Sequence, residues 1–258
     1  MLAEQEASRS SGRHQPWWWL PEKGVARTIL ELLIIVPAYA LYSLVRGIVD
    51  GRTQEAFGRA TQVISIEQGL HIYREAELQR WILTWGIGVK LVNFIYVWGH
   101  LPLLIGIAVW LFVCQRHRYP MFRNAFLISG GIGLLLFWLL PTAPPRYFQY
   151  WGFVDTAVES GSYYIFQSPS FVNQYAAMPS LHFGWSLLAA AALFTNVRSR
   201  LRYVALGLPV LTLAGVVLTA NHFFLDAAAG AAVAMLALFV AFQLHTRLPR
   251  QKPFNILA

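Results

Sequence analysis

The amino-acid sequence predicts an all-α integral membrane protein, a six-transmembrane-helix bundle with interfacial helices and one long extracytoplasmic loop. Of its 258 residues, 57% are hydrophobic and 12% are charged, against roughly 25% charged residues in soluble domains. Runs without charged residues cover 91–115, 124–145, 203–221 and 227–246. Each approaches or exceeds the ~20 apolar residues that cross a bilayer as a helix. The composition therefore excludes an ordinary soluble domain.

Adding two shorter apolar runs brings the count to six spans. They are predicted over about 28–49, 91–114, 124–141, 181–197, 203–220 and 222–244. Residues 1–27 form an N-terminal tail in which Trp17, Trp18 and Trp19 suit the headgroup level. Residues 247–258 form a C-terminal tail. The single cysteine, Cys114, excludes an internal disulfide.

The cations predict the orientation. With the N-terminus inside, the two tails and the loops at 116–123 and 198–202 hold 13 of the 20 Lys and Arg residues. The outer loop at 141–179 holds only Arg146. Both termini are therefore expected in the cytoplasm. The membrane is expected to be a bacterial plasma membrane. The net charge of +8 is attributed to this orientation and not to a nucleic-acid partner.

Two extracytoplasmic segments interrupt the pattern of spans. Residues 50–90 mix apolar residues with charged ones, which favours amphipathic helices along the membrane surface; a re-entrant turn through Trp81–Val89 is the alternative. The second segment, 141–179, is rich in Pro, Tyr, Phe and Ser. A loop of this length usually has a function.

His222 and Asp226 are the first candidate functional residues. A spacing of four places two side chains on one face of a helix, within reach of each other. Asp226 is also the only aspartate in a predicted membrane run, where an ionisable group indicates function by default. The alternative is a structural hydrogen bond at the helix start.

His182 begins another predicted span. Pro179 suits the first turn of a helix, so Ser180, Leu181 and His182 are expected at its N-terminus. Such a terminus binds phosphate through free backbone N–H groups, and a serine hydroxyl adds a donor. Taken alone, a histidine here is more often a cap or an interface residue.

Arg146 lies just after the third span, among several prolines. Its planar guanidinium suits bidentate binding of phosphate oxygens; an arginine extending from the interface to water is the alternative. By the predicted topology Arg146, His182 and His222 share one outer face of the membrane. The sequence therefore indicates one extracytoplasmic site.

The segments Pro-Pro-Arg at 144–146, Pro-Ser-Leu-His at 179–182 and Asn-His-x-x-x-Asp at 221–226 resemble the three ordered motifs of the type-2 phosphatidic acid phosphatase superfamily. More narrowly, they resemble its inositol-phosphorylceramide-synthase-like branch. The resemblance covers roughly residues 60–245. Leu139, Leu181 and Val216 stand where the broad family has Lys, Gly and Arg, so Arg146 must bind more of the phosphate, or a cation such as Lys90 must help.

The resemblance implies a membrane lipid phosphatase or phosphotransferase. His222 would attack phosphorus and become a phosphohistidine, Asp226 would hold its other ring N–H, and His182 would act as acid and then base. Arg146, Ser180 and Leu181 would bind the phosphate, without a cofactor or metal. The partner is a membrane lipid phosphate or phosphodiester, and a polyol such as inositol is a possible acceptor.

Two alternatives use the same residues. Imidazole and carboxylate groups at His182, His222 and Asp226 could bind zinc. A non-catalytic transporter or scaffold could use intramembrane polar residues to line a pathway. Asn93, Tyr96 and His100, at i, i+3 and i+7, are assigned to such a path, to packing, or to a pocket for a substrate headgroup. Asn221 is assigned to the same possible substrate pocket.

Overall fold

The computed structural model of the protein describes residues 24–48, 52–156 and 174–247. The predicted tails fall outside these residues except for 24–27 and Arg247, and the Trp17–Trp19 segment falls wholly outside. Residues 1–39 and 40–258 form two compact units. Helix α1, Gly24–Ile48, begins in the first unit, is apolar, and contains Pro37.

The rest of the described chain is a series of helices. The α-helices are α2 Thr53–Gly69, α3 Glu75–Leu83, α4 Gly86–Phe94, α5 His100–Cys114, α6 Tyr119–Leu139, α7 Leu181–Asn196, α8 Gly207–Leu218 and α9 Phe224–Thr246. A π-helical turn, Ile95–Gly99, joins α4 to α5, and 3₁₀ segments occupy Pro145–Tyr147, Gln149–Trp151 and Arg200–Leu206. All named elements in the described residues are helical, which confirms the predicted all-α class.

Among the described residues, four helical stretches are long and apolar enough to cross a membrane. They are Gly24–Leu41, Tyr119–Leu139, Arg200–Leu218 and Phe224–Thr246. They confirm that this is an integral membrane protein. Helices also cover the predicted spans at 91–114 and 181–197, although α5 is shorter than a full span. The count of six spans stays a prediction.

α7 and α9 pack with their backbones in contact, and glycine makes this possible. A Cβ on Gly230 would lie 2.1 Å from the carbonyl oxygen of Ser180, and one on Gly184 would lie 2.6 Å from the carbonyl oxygen of Gly230. Any larger residue would separate the helices. This approach brings the start of α7 beside the start of α9, where the Ser180 N–H donates to the Asp226 carbonyl oxygen at 2.8 Å.

The 50–90 segment forms α2, α3 and the start of α4, and α2 packs against the site. Ala56, Ala60 and Ile64 of α2 share a buried cluster with Ala143 and Phe223. The Ala143 N–H also donates to the Ala56 carbonyl oxygen at 3.1 Å. The predicted helices are therefore present, and one face of α2 is buried in protein; their position along a membrane surface stays a prediction.

Candidate active site

Hydrogen bonds join the three segments of the chain that carry the sequence motifs. The Arg146 N–H donates to the carbonyl oxygen of Ala220 at 2.8 Å, and the Ala177 N–H donates to that of Thr142 at 3.1 Å. The Ser180–Asp226 bond described above joins the remaining pair. Each motif, or a residue within two positions of it, thus bonds to the segments of the other two through backbone groups, and the residues predicted to form one site come together.

Arg146 is buried, with 6% of its surface exposed. Its guanidinium donates to the Asn221 side-chain oxygen and pairs through Nε with Asp155 Oδ2 at 3.2 Å. It also lies over the Tyr147 ring, 4.8 Å from the centroid. An arginine held this firmly is oriented before any ligand arrives, and it does not extend into solvent as the alternative interpretation required.

His222 is 5% exposed, and its environment selects a tautomer. Its Nδ1 lies 2.7 Å from the Ala177 carbonyl oxygen and 3.5 Å from Asp226 Oδ2. Because a carbonyl oxygen only accepts hydrogen bonds, the contact favours a proton on Nδ1, and in the neutral ring the lone pair is then on Nε2. The nearer partner is thus Ala177, which the sequence motifs did not identify.

The prediction that His222 and Asp226 share one face of a helix is wrong in detail. α9 begins at Phe224, so His222 lies in the turn before it. The reason is that Asp226 is buried in the first turn and its Oδ2 accepts the Phe223 N–H at 2.8 Å, which starts the helix at the next residue. The turn still brings the imidazole to the carboxylate.

His182 lies in the first turn of α7, with its ring centroid 6.0 Å from that of His222. Two further rings surround it, those of Tyr96 at 4.8 Å and His100 at 4.9 Å. Tyr96 lies in the π-helical turn, and His100 is the residue that follows this turn. Tyr96 and His100, assigned to a path, to packing or to a pocket, therefore lie beside a candidate catalytic residue.

Ser180 and Leu181 lie where the predicted phosphate-binding N-terminus begins. Ser180 is fully buried as the N-cap residue of α7, and its Oγ accepts the Phe183 N–H at 3.4 Å. Pro179 precedes the cap and so lies outside the predicted first turn. The Leu181 side chain packs on Gly133, where a Cβ would come within 2.8 Å of it.

Asn93 does not join the rings of Tyr96 and His100. It is buried, and its amide exchanges two hydrogen bonds of 3.2 Å with the Thr156 carbonyl and hydroxyl. Gln79 forms a similar pair with Val154, at 2.7 and 3.0 Å. These two amides hold the residues on either side of Asp155, and neither Gln79 nor Asp155 was identified by its sequence pattern.

Two buried glutamates, also missed, hold the start of α9. Glu67 Oε1 accepts the Leu225 N–H at 2.7 Å and Glu75 Oε1 accepts the Phe224 N–H at 3.0 Å. Burial and a hydrogen bond to Glu75 raise the pKa of Glu67 to about 9. Glu67 therefore holds its proton at neutral pH. Their sequence context suggested only solvated charges of an amphipathic helix.

The zinc alternative finds no ligand set in this arrangement. Within the described ranges, no three His, Cys, Asp or Glu side chains are grouped so as to hold a metal ion. At His222, Nδ1 is already taken by Ala177 and Asp226. The geometry that does exist is a histidine pair beside a fixed arginine.

Comparison with known proteins adds a family to this geometry. The model of the PAP2 superfamily matches residues 61–240, which is more than half of the chain. A phosphoinositol dihydroceramide synthase of Bacteroides thetaiotaomicron is 26% identical over 171 residues, covering 59% of this chain and 55% of that protein. The chain thus spans about half the length of this curated relative.

No solved structure matches the chain. The name of the bacterial relative agrees with the inositol-phosphorylceramide-synthase-like branch that the motifs indicate. Because the family model covers all three motifs, the resemblance drawn from Arg146, His182, His222 and Asp226 is confirmed at family level. The chain belongs to the PAP2 superfamily.

Proposed function

We propose that this protein is a membrane lipid phosphotransferase that passes a phosphoryl group, free or bearing a headgroup, through His222. The observation that carries the proposal is the bond between His222 Nδ1 and the Ala177 carbonyl oxygen at 2.7 Å. With the proton on Nδ1, the neutral ring has its lone pair on Nε2, and only that form of the nitrogen is a nucleophile. Family membership supports a lipid phosphate or phosphodiester as donor.

In the first step, Nε2 of His222 forms a bond to phosphorus while the bond from phosphorus to the lipid oxygen breaks. His182 protonates the departing alkoxide, since its ring is 6.0 Å from that of His222 and a histidine titrates near neutral pH. Asp226 stabilises the positive charge that develops on the His222 ring. Arg146 and the N–H groups at Leu181 and His182 bind the phosphoryl oxygens.

In the second step, neutral His182 takes a proton from an incoming hydroxyl, whose oxygen bonds to phosphorus as the bond to Nε2 breaks. With water as the acceptor, the result is hydrolysis. With a polyol or lipid hydroxyl, it is group transfer. The name of the bacterial relative, a synthase, favours transfer.

The proposed site faces the outside of the cell, with six spans and both termini cytoplasmic. Its support is the distribution of cations, of which Arg146 is the only one in 141–179. Cysteine placed at exposed Tyr150 and at Arg198 should react with an impermeant thiol reagent from opposite sides. A Cys114→Ala background removes the native thiol. Labelling of both from one side would contradict this topology.

The direct test of function uses purified protein and a panel of lipid phosphates and phosphodiesters, with and without inositol. His222→Ala and His182→Ala should each lose at least about 10²-fold in kcat. His117→Ala, at an exposed histidine outside the motifs, is the matched control and should remain active. Full activity in either site variant would refute the scheme.

The intermediate can be trapped. Phosphatidate labelled at phosphorus should leave an acid-labile, base-stable label on His182→Ala protein if the first step survives, and none on His222→Ala. Activity that disappears with a strong chelator and returns with Zn²⁺ would instead support the zinc alternative. A folded protein that releases or transfers phosphate from no lipid in the panel would favour the transporter or scaffold alternative.

A further inference from the structure

Asp155 places a negative charge directly beside the arginine of the proposed phosphate site. Its Oδ2 is 3.2 Å from Arg146 Nε, and the two side chains are only 18% and 7% exposed. Water and salt screen a pair in this position much less than a pair on the surface. A phosphate bound to Arg146 therefore interacts strongly with the Asp155 carboxylate.

The chain is held in place on both sides of Asp155. Gln79, which is fully buried, bonds both backbone groups of Val154. Asn93, 1% exposed, bonds the carbonyl and hydroxyl of Thr156, itself 2% exposed. Breaking these bonds would leave buried amides unpaired, which is unfavourable. Asp155 thus stays beside Arg146 when a ligand binds.

The motifs contain little positive charge to offset this carboxylate. The segments 144–146, 179–182 and 221–226 hold one cation, Arg146, and one anion, Asp226. A phosphomonoester carries a charge of about −1.5 to −2 at pH 7, whereas a phosphodiester carries a single charge. The second charge of the monoester gains attraction from Arg146 but meets nearly equal repulsion from Asp155, and it loses hydration on entering the site.

We propose that Asp155 makes the site select phosphodiesters over phosphomonoesters, by holding a carboxylate against the arginine that binds phosphate. The inference rests on the proposed function in one respect, that Arg146 binds the phosphate of the donor lipid. It assigns a specificity-determining role to a residue outside the three motifs. It also gives a purpose to the buried amides of Gln79 and Asn93.

The test measures binding and does not depend on turnover. In a His222→Ala background, affinities for short-chain phosphatidate and short-chain phosphatidylmethanol are compared through intrinsic tryptophan fluorescence. The two lipids differ by one methyl group and one charge. The protein with Asp155 should prefer phosphatidylmethanol, and Asp155→Asn should lower the ratio of the two affinities about 10-fold or more, since ~1.4 kcal/mol corresponds to that factor.

Three variants control the result. Asp155→Glu keeps the charge and should keep the preference. Asp155→Ser removes the charge and should lower the ratio as Asp155→Asn does, and it serves in place of Asp155→Asn where the amide disturbs folding. Glu77→Gln neutralises an exposed carboxylate that is 64% accessible and pairs with Arg74, and it should leave the ratio unchanged. An unchanged ratio in folded Asp155→Asn and Asp155→Ser would overturn the proposal.

The outcomes separate this inference from the proposed function. A charge preference that follows Asp155 in the binding assay, with no turnover of any lipid phosphate by the protein with His222 intact, would support the selectivity and refute the phosphotransferase. Turnover that requires His222, with a ratio indifferent to Asp155, would do the reverse. If phosphatidate and phosphatidylmethanol do not compete for one site, the inference is overturned.

Discussion

His222 Nδ1 lies closer to the carbonyl oxygen of Ala177, at 2.7 Å, than to the carboxylate of Asp226, at 3.5 Å. A backbone carbonyl two residues before the Pro-Ser-Leu-His motif therefore favours one tautomer of the histidine in the third motif. The carboxylate has a different task, because only it carries a charge that can stabilise an imidazolium. These two contributions are separable by mutation.

Asp226→Asn should lower kcat by about 10²-fold while leaving the fold intact. The variant keeps an oxygen that can accept the Phe223 N–H, and Ala177 still holds the Nδ1 proton, so only the charge is lost. The measurement is kcat together with the melting temperature. Asp226→Ala, which also removes the acceptor at the helix start, should in addition lose about 1 kcal/mol of stability. A kcat for Asp226→Asn equal to that of the unaltered protein would show that the charge does not act in the reaction.

Glu67→Ala should destabilise the protein by about 1–3 kcal/mol, because it leaves the buried Leu225 N–H without a partner. Glu67→Gln keeps an oxygen for that N–H and an amide donor toward Glu75, so its loss should be smaller. The measurement is thermal unfolding in one detergent. Glu77→Ala, at an exposed ion pair, is the matched control and should change stability by less than about 1 kcal/mol. Equal losses for all three variants would contradict the assigned role of Glu67.

The same carboxyl group predicts a pH dependence of stability. The pKa of Glu67 is raised from 4.5 to about 9 by burial first and by its bond to Glu75 second. Between these values the folded protein binds more protons than the unfolded chain, so the free energy of unfolding falls as pH rises. A single proton contributes at most ~1.4 kcal/mol per pH unit.

Melting temperatures of the unaltered protein and of Glu67→Gln between pH 5 and pH 9 test this dependence. The unaltered protein should lose stability relative to the variant as pH rises through that window. Tyr73, whose pKa is raised to about 12 by burial, by Glu75 and by Glu67, titrates above this window. Parallel curves would show that Glu67 does not hold its proton in the folded state.

The class of the fold and the members of the site could be predicted from sequence because each depends on local signals. Charge-free runs mark helices that lie in an apolar environment, and the family motifs mark Arg146, His182 and His222 directly. The coming together of the motifs was inferred from topology alone. The structure replaces that inference with three specific hydrogen bonds.

The residues that hold the site could not be predicted, because their partners are distant in the chain. Glu67 and Glu75 bond to N–H groups about 150 positions away, at separations of 158 and 149 residues. In sequence, both look like charges on the wet face of an amphipathic helix. Asn93 is a similar case, since its spacing with Tyr96 and His100 suggested one shared face, whereas the structure turns it toward Thr156.

Gly230→Ala tests whether the backbone contact between α7 and α9 is what aligns the two histidines. The added methyl group would meet the Ser180 carbonyl oxygen at 2.1 Å, and that oxygen also accepts the Gly184 N–H at 3.0 Å inside α7. Neither helix backbone can yield locally, so the helices must move apart. Overpacking of this kind costs about 1–3 kcal/mol.

The catalytic loss should exceed what the change in stability explains, since a displacement of about 1 Å at reacting groups can cost 10²-fold in rate. Gly106→Ala in α5, where an added Cβ meets nothing within 4 Å, is the matched control and should keep both stability and activity. The measurements are kcat and melting temperature for both variants. If Gly230→Ala were folded and fully active, the distance between His182 and His222 would have to be set by another contact, and the Ser180–Asp226 hydrogen bond would be the next to test.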